Sequence, residues 1–168
     1  MKFDSDHIKS LRGKLISGRG LATGQLAEIM KLMNFNYKLV PGSLNLIFDE
    51  PIAFETKKTD EFVIFQTSRY FWKAKINDLD VLLYRWRGSR LHIIEVLAPL
   101  NIREHFNLQD GDKIDIQVSK KYLRPRRLIE TVMFYIFWSF GRQSWPYKTD
   151  KYQYFTKYIE AAFGTIQK

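Results

Sequence analysis

The sequence contains no cysteine, which excludes disulfide bridges and thiolate metal sites. It has only three histidines, His7, His92 and His105, and their spacing is not that of metal ligands. The longest apolar run, residues 131–140, is far shorter than the about 20 residues that a membrane-spanning helix needs. The first 14 residues are polar and charged, so no secretory leader is visible. We therefore expect a cytoplasmic protein, at most peripheral to a membrane.

Charge is distributed unevenly along the 168 residues. Residues 119–168 contain 10 of the 27 Lys and Arg residues but only 3 of the 18 Asp and Glu residues, which gives them +7 of the net +9. The same part contains 13 of the 26 Trp, Tyr and Phe residues. Wholesale disorder is excluded, because 45% of the residues are hydrophobic. The pattern predicts one domain at 1–118, followed by a basic, aromatic, helical extension at 119–168.

The stretch from Pro41 to Ile47 predicts a turn followed by a half-buried strand. Side chains two positions apart on a strand point the same way, so Ser43 and Asn45 would lie side by side. Leu44 and Leu46 would then be turned into the core. A hydroxyl and an amide oxygen suit Mg²⁺, which takes its other ligands from phosphates and water. The alternative is a strand whose polar face simply meets water.

A glycine-rich segment at residues 18–23 follows a strand predicted near residues 8–16. Glycine permits positive φ and close backbone approach, so the amides of such a segment can point at an anion. The segment lacks the Gly-Lys-Ser/Thr ending of the P-loop and does not match the dinucleotide fingerprint. A phosphate-binding loop and a plain connection from a strand to a helix therefore both remain open. The residues concerned are Gly18, Arg19, Gly20, Leu21, Ala22 and Thr23.

Short strands separated by turns are predicted for most of residues 62–118. This pattern is typical of a small barrel or sandwich, and a single helical turn is expected at 101–106. The predicted strands are 62–66, 70–76, 81–86, 91–97 and 113–118.

Four motifs stand out in order along the chain. They are Gly18-Arg19-Gly20; Pro41-Gly42-Ser43-Leu44-Asn45-Leu46; Ile94-Glu95-Val96-Leu97-Ala98-Pro99 with Asn101-Ile102-Arg103; and Leu108-Gln109-Asp110-Gly111-Asp112. In this order and approximate spacing they resemble the archaeal CTP-dependent riboflavin kinases over residues 10–118. The resemblance implies a mainly β fold, a small six-stranded cradle-loop barrel with short helices. It also implies a kinase that transfers the γ-phosphoryl group of CTP to the ribityl hydroxyl of riboflavin, which gives FMN.

The resemblance further implies roles for individual residues. Ser43 and Asn45 match the Mg²⁺ ligands of the family, in which the first is usually threonine. Residues 18–23 and 100–103 match two nucleotide-contacting segments. Glu95 matches an acidic residue near the flavin, where it could accept the proton of the attacking hydroxyl. Pairing of Glu95 with a nearby arginine is the alternative. The second nucleotide-contacting segment consists of Leu100, Asn101, Ile102 and Arg103.

Two departures from the family's pattern concern the glycine segment and the acceptor. Ala22 replaces the usual third glycine. Residues 84–90 contain three arginines where the family usually has a threonine-containing loop that helps to hold the flavin. We therefore expect that Arg85 and Arg87 bind a negatively charged acceptor. The alternative to riboflavin is thus a different, anionic or membrane-associated alcohol or sugar.

The extension is predicted to form a helix at 128–140 and a second helix near 150–163. The helices either pack on the barrel as a hairpin or bind anionic lipid as an interfacial element spanning 124–147. The apolar residues on one broad face of the first helix are Leu128, Ile129, Val132, Met133, Ile136, Phe137 and Phe140.

Nucleic-acid binding is a weaker alternative for the whole chain. Basic and aromatic residues alternate in the extension, as they do in proteins that bind single strands. Residues 1–118 are nearly charge-balanced, however, and the pairing of Ser43 with Asn45 would then have no explanation. The sequence leaves the oligomeric state undetermined.

Overall fold

A computed structural model describes residues 7–17, 39–40, 43–58, 60–64, 67–87 and 89–139. Seven antiparallel strands and two α-helices make up this part of the chain. The strands are β1 (Ile8–Ile16), β2 (Leu44–Ile47), β3 (Asp60–Ile64), β4 (Thr67–Ile76), β5 (Leu79–Trp86), β6 (Ile93–Leu97) and β7 (Lys113–Ser119). The helices are α1 (Ile102–His105) and α2 (Leu128–Phe137), and short 3₁₀ turns cover Thr56–Lys58 and Lys120–Tyr122.

Some of the predicted features lie outside the described residues. They are the glycine segment 18–23, the turn at Pro41 and Gly42, and the second helix of the extension.

Six of the strands close into a barrel. The strand order is β3-β4-β5-β6-β2-β1-β7, and β4 also pairs with β7. This last pairing, of Ala74 with Val118 and Lys75 with Gln117, closes the ring from β4 to β7. β3 lies outside the closed ring as a hairpin partner of β4. The predicted mainly β fold with a six-stranded barrel is therefore confirmed.

The barrel interior is built by the two-residue period of its strands. On β1, Leu11 and Leu15 are buried in the core, whereas Arg12 and Lys14 between them are exposed. Side chains of every strand of the closed ring contribute to the interior in the same way. Its buried members include Leu11, Leu15, Leu44, Leu46, Trp72, Ala74, Ile76, Val81, Leu83, Ile94, Val96, Ile116 and Val118.

The wall formed by β2, β5 and β6 is buried on its outer face as well. All four residues of β2 and all five of β6 are buried, although only alternate ones face the interior. The outer face of β1 and β7 differs, because its ion pair between Arg12 and Asp115 is exposed to solvent. Polar side chains on the outer face of β2 and β6 are therefore shielded from water, so this wall is a candidate position for a binding or catalytic site.

The segment after β7 returns to the barrel before α2 begins. Leu123 forms a β-bridge with Phe54, and the amide of Arg124 donates to the carbonyl of Ala53 at 3.0 Å. The predicted helix at 128–140 is confirmed over Leu128–Phe137. Within the described residues, neither helix has the length and apolar character needed to cross a bilayer.

Gly13 provides a test of the packing inside the barrel. A Cβ atom at Gly13 would lie 3.1 Å from Cε1 of Phe48 and 3.2 Å from Cβ of Leu46. Gly13→Val adds two further methyl groups at this crowded point, so we expect the free energy of unfolding to fall by about 1–3 kcal/mol. Urea denaturation measures it. The control Ser10→Val, at an exposed position of the same strand, should change it by less than about 0.5 kcal/mol. Equal effects of the two variants would contradict the close packing.

Candidate active site

A row of paired residues crosses the outer face of the buried wall. Asn45 of β2 pairs with Glu95 of β6, and Glu95 pairs with Tyr84 of β5. Residues directly opposite each other on neighbouring strands point to the same face of a sheet. The side chains of all three therefore lie together outside the barrel, and all three are buried. At the other end of the row, Ile16 of β1 pairs with Asn45.

Ser43 joins this row from the start of β2. Its hydroxyl donates a hydrogen bond of 2.7 Å to Oε2 of Glu95. Leu44 and Leu46, which alternate with Ser43 and Asn45, are buried in the barrel core. The predicted arrangement is thus confirmed as far as geometry goes, with two polar side chains on one face and two leucines on the other. Binding of Mg²⁺ by Ser43 and Asn45 stays a prediction.

Burial dominates the electrostatics of Glu95, which is only 8% exposed. The pKa of its carboxyl is raised because burial disfavours the ionised form. The hydrogen bond from Ser43 and the positive charge of Arg69 act in the opposite direction. The result is a carboxylate that is poorly hydrated and held in place, which suits a group that accepts a proton.

Two residues beside Glu95 were missed by the sequence analysis. Arg69 of β4 is buried, and its guanidinium carbon lies 5.9 Å from the centroid of the Tyr84 ring. Burial raises the pKa of Tyr84 to about 12 although the arginine opposes this, so Tyr84 is neutral at physiological pH. The sequence gives only a weak signal for Arg69, a cation within an aromatic strand. The register of three strands brings it near Glu95.

The alternative interpretation of Glu95 anticipated a nearby arginine. Arg69 fits this description, since its charge acts on the carboxyl of Glu95. Ser43, a predicted metal ligand, contacts the same carboxyl. Both interpretations of Glu95 therefore keep their support.

Arg103 lies at the β1 end of the same wall. Its Nη2 donates to the carbonyl of Ile16 at 3.0 Å and to Oδ1 of Asp110 at 2.6 Å. The hydroxyl of Ser17 donates to the other carboxylate oxygen of Asp110. The hydrogen bond from Ser17, followed by those from Arg103, lowers the pKa of Asp110. Arg103 and Asp110 thus anchor the end of β1, where the glycine segment begins.

The rest of the predicted nucleotide-contacting segment positions Arg103. Oδ1 of Asn101 accepts hydrogen bonds from the amides of Arg103 (3.1 Å) and Glu104 (3.4 Å), which caps α1. Ile102 is buried in the core, and Leu100 packs against the core from outside. The capped turn therefore has a fixed base from which the arginine reaches the end of β1.

Arg85 has a different environment from the one predicted. It is 4% exposed, and its guanidinium donates to the carbonyls of Ile93 (2.6 Å), Ile52 (2.8 Å) and Leu91 (2.5 Å). Because Arg85 follows Tyr84 on an extended strand, it points to the opposite face from Tyr84 and Glu95. These contacts favour a structural role for Arg85 over the predicted contact with substrate. Arg87, by contrast, is exposed.

The donor set of the row is suited to a hard cation. The hydroxyl of Ser43, the amide oxygen of Asn45 and the carboxylate of Glu95 are all oxygen ligands of the kind that Mg²⁺ takes. Across the described ranges, no group of three or more His, Cys, Asp and Glu side chains forms a ready metal cage. A Mg²⁺ ion at Ser43 and Asn45 would therefore take most of its ligands from phosphates and water, as this ion commonly does.

Alanine variants of Arg85 and Arg87 distinguish a structural role of Arg85 from a role in substrate binding. Arg85→Ala removes three hydrogen bonds that a buried guanidinium donates to backbone carbonyls, so we expect the free energy of unfolding to fall by about 3 kcal/mol or more. Arg87→Ala, at an exposed position, should change it by less than about 0.5 kcal/mol. Urea denaturation of the two variants measures both values. An Arg85→Ala protein with unchanged stability would contradict the structural role, and selective loss of acceptor affinity would restore the predicted one.

Comparison with known proteins bears on the same residues. No family model matches the chain. A riboflavin kinase from the archaeon Saccharolobus solfataricus is 26% identical over 135 residues, which cover 67% of this chain and 75% of the relative. The similarity supports a kinase function for this protein. The resemblance to archaeal riboflavin kinases that the motifs predicted is thus confirmed by a distant relative.

Proposed function

We propose that the protein is a transferase that moves the γ-phosphoryl group of CTP to the ribityl hydroxyl of riboflavin, with FMN and CDP as products. The observation that supports this most directly is the buried row in which Ser43 donates to Glu95 beside Asn45. Arg103 lies at the end of the same row, next to the start of the glycine segment. The similarity to a riboflavin kinase supports the choice of acceptor.

Glu95 is the proposed general base. A hydroxyl becomes a better nucleophile when a neighbouring group takes its proton in the transition state. Because Glu95 is buried, few water molecules can form hydrogen bonds with its carboxylate. The hydrogen bond from Ser43 fixes the orientation of this carboxylate. The other carboxyl oxygen, Oε1, would face the acceptor hydroxyl. Arg69 favours the ionised form that this role requires.

Ser43, Asn45 and Arg103 are proposed to serve the phosphates. Phosphoryl transfer depends mainly on positioning and on neutralisation of charge on the phosphate oxygens. Mg²⁺, when held by Ser43 and Asn45, would supply part of that neutralisation. The planar guanidinium of Arg103 can bind two phosphate oxygens. Its bond to Asp110 holds it near the start of the glycine segment, whose sequence matches a phosphate-wrapping loop.

The acceptor is the finer point of the proposal. The alternatives are an anionic alcohol, predicted from Arg85 and Arg87, and a membrane-associated one, predicted from the basic, aromatic extension. The guanidinium of Arg85 is engaged by three backbone carbonyls, which weakens the argument for an anionic acceptor. We therefore propose riboflavin as the acceptor, ahead of an anionic alcohol.

Formation of FMN tests the assignment directly. The purified chain is incubated with riboflavin, Mg²⁺ and either CTP, ATP, GTP or UTP, and FMN is separated by chromatography. We expect FMN with CTP and much less with the other nucleotides. Ser43→Ala and Asn45→Ala should each lower turnover at least about 10–100-fold. Ser10→Ala, which removes an exposed hydroxyl on β1, is the matched control. Full turnover in both site variants would refute the Mg²⁺ role.

Glu95→Gln tests the proton acceptor. The amide keeps the shape of the side chain and can still accept the hydrogen bond from Ser43, but it cannot take a proton. We expect kcat to fall by about 10²–10⁴-fold, with a smaller change in KM. Glu50→Gln, an exposed carboxylate that pairs with Arg126, is the control and should leave kcat unchanged.

Glu95→Gln should also change how the stability of the protein depends on pH. A carboxyl whose pKa is raised in the folded state contributes stability that is complete below its usual pKa of 4.5 and is lost as pH rises through the folded-state value. Glu95→Gln removes the ionisation. In EDTA its Tm should therefore exceed that of the wild type near pH 8, and this excess should shrink towards about pH 4. An excess that is constant with pH would show that burial does not raise this pKa.

A further inference from the structure

Helix α2 has two apolar faces: within the part of the chain that the structure describes, one packs against the barrel and the other is largely exposed. On the inner side, Phe134 is buried, and its ring lies 5.2 Å from the ring of His92. Trp138, one turn later, lies 5.6 Å from His92 and 5.1 Å from the guanidinium carbon of Arg90. The opposite side is exposed to solvent, with Leu128 at 81% and Tyr135 at 51%. We call it the outer apolar face; its residues are Leu128, Ile129, Val132, Tyr135 and Ile136.

Basic residues lead directly into this face. The eight residues from Lys120 to Arg127 include five Lys and Arg and no Asp or Glu. Arg124 is paired with Glu130, and Arg126 with Glu50. Lys120, Lys121 and Arg127 are exposed. A segment rich in positive charge therefore leads into the N-terminal end of the outer apolar face.

The orientation of the outer apolar face is fixed by the attachment of α2. The helix start is held by the amide of Arg127, which donates to Oε2 of Glu130 at 2.8 Å. Glu130 also pairs with Arg124, whose own amide bonds to the barrel at Ala53. The ring contacts of Phe134 hold the other half of the helix. Little conformational entropy would be lost when such a preformed surface binds a partner.

We propose that the outer apolar face docks on the surface of an anionic phospholipid bilayer, with the basic segment 120–127 against the headgroups. An apolar helix face bordered by Lys and Arg is the pattern of an element that lies in the membrane interface. α2 has ten residues, so it would lie in the plane of the surface. Tyr135 fits the headgroup level, where tyrosine is enriched.

Charge favours this occupant over a second copy of the chain. Two copies that met through the outer apolar faces would bring together two chains that each carry a net charge of +9. Repulsion between them would oppose the contact. An anionic surface turns the same charges into attraction, at about fivefold in affinity for each Lys or Arg near the headgroups. The inference is independent of the proposed kinase activity.

Vesicle flotation of the full chain tests the proposal. Vesicles of phosphatidylcholine alone are compared with vesicles that also contain phosphatidylglycerol, at low and high salt. We expect the protein to float with the anionic vesicles at low salt and to bind them more weakly at high salt. With neutral vesicles it should remain at the bottom of the gradient. Equal flotation with both kinds of vesicle, or none with either, would overturn the proposal.

Variants identify the surface responsible. Leu128→Gln combined with Val132→Gln should lower the partition coefficient at least about tenfold, because two exposed apolar side chains are lost from the interface. Lys120→Gln with Lys121→Gln should lower it by about fivefold per charge. Lys14→Gln, an exposed charge at the other end of β1 from the Ser119 pairing, is the control and should have little effect.

Two further measurements keep the outcome decisive. All substituted positions are exposed, so far-UV circular dichroism and Tm should match the wild type. Light scattering reports the mass in solution. A dimer that the Leu128→Gln, Val132→Gln variant dissociates would assign the outer apolar face to a second copy and overturn the proposal. Flotation that persists undiminished in this variant would overturn it as well.

Discussion

The antiparallel register of β2 against β6 is the constraint on which the candidate site depends. It places Asn45 opposite Glu95 and brings the Ser43 hydroxyl to the Glu95 carboxylate. A slip of one residue would turn Leu44 and Leu46 outward and carry the polar side chains into the barrel core. Burial of the two leucines makes that slip very costly. The apolar pattern that builds the core therefore also holds the polar row on the outer face.

Burial of the outer wall gives the row its chemical character at some cost in stability. A carboxylate excluded from water is destabilised in its ionised form, and Glu95 has two compensating neighbours, the Ser43 hydroxyl and the Arg69 cation. Neither restores the ordinary pKa. Active sites commonly keep such destabilising features, because activity depends on them. The energetic cost at Glu95 is therefore what the proposed function leads us to expect.

The sequence predicted those parts of the site that depend on local geometry. The placement of Ser43 and Asn45 on one face follows from the two-residue period of a single strand. The succession of short strands predicted a small barrel or sandwich. Arg69 was missed because only the pairing of β4, β5 and β6 brings it near Glu95. Arg85 was predicted to bind a negatively charged acceptor, but it is buried. Its guanidinium is satisfied by the carbonyls of Leu91 and Ile93, which no local sequence pattern reveals.

The extension and the candidate site share one support. Arg85 holds the carbonyls of Leu91 and Ile93, which flank His92 at the entrance to β6. The ring of His92 in turn packs against Phe134 and Trp138 of the C-terminal segment. Glu95 lies three residues further along the same strand. Arg85 therefore braces this turn from inside and the C-terminal segment braces it from outside, so both support the start of the strand that carries the proposed base.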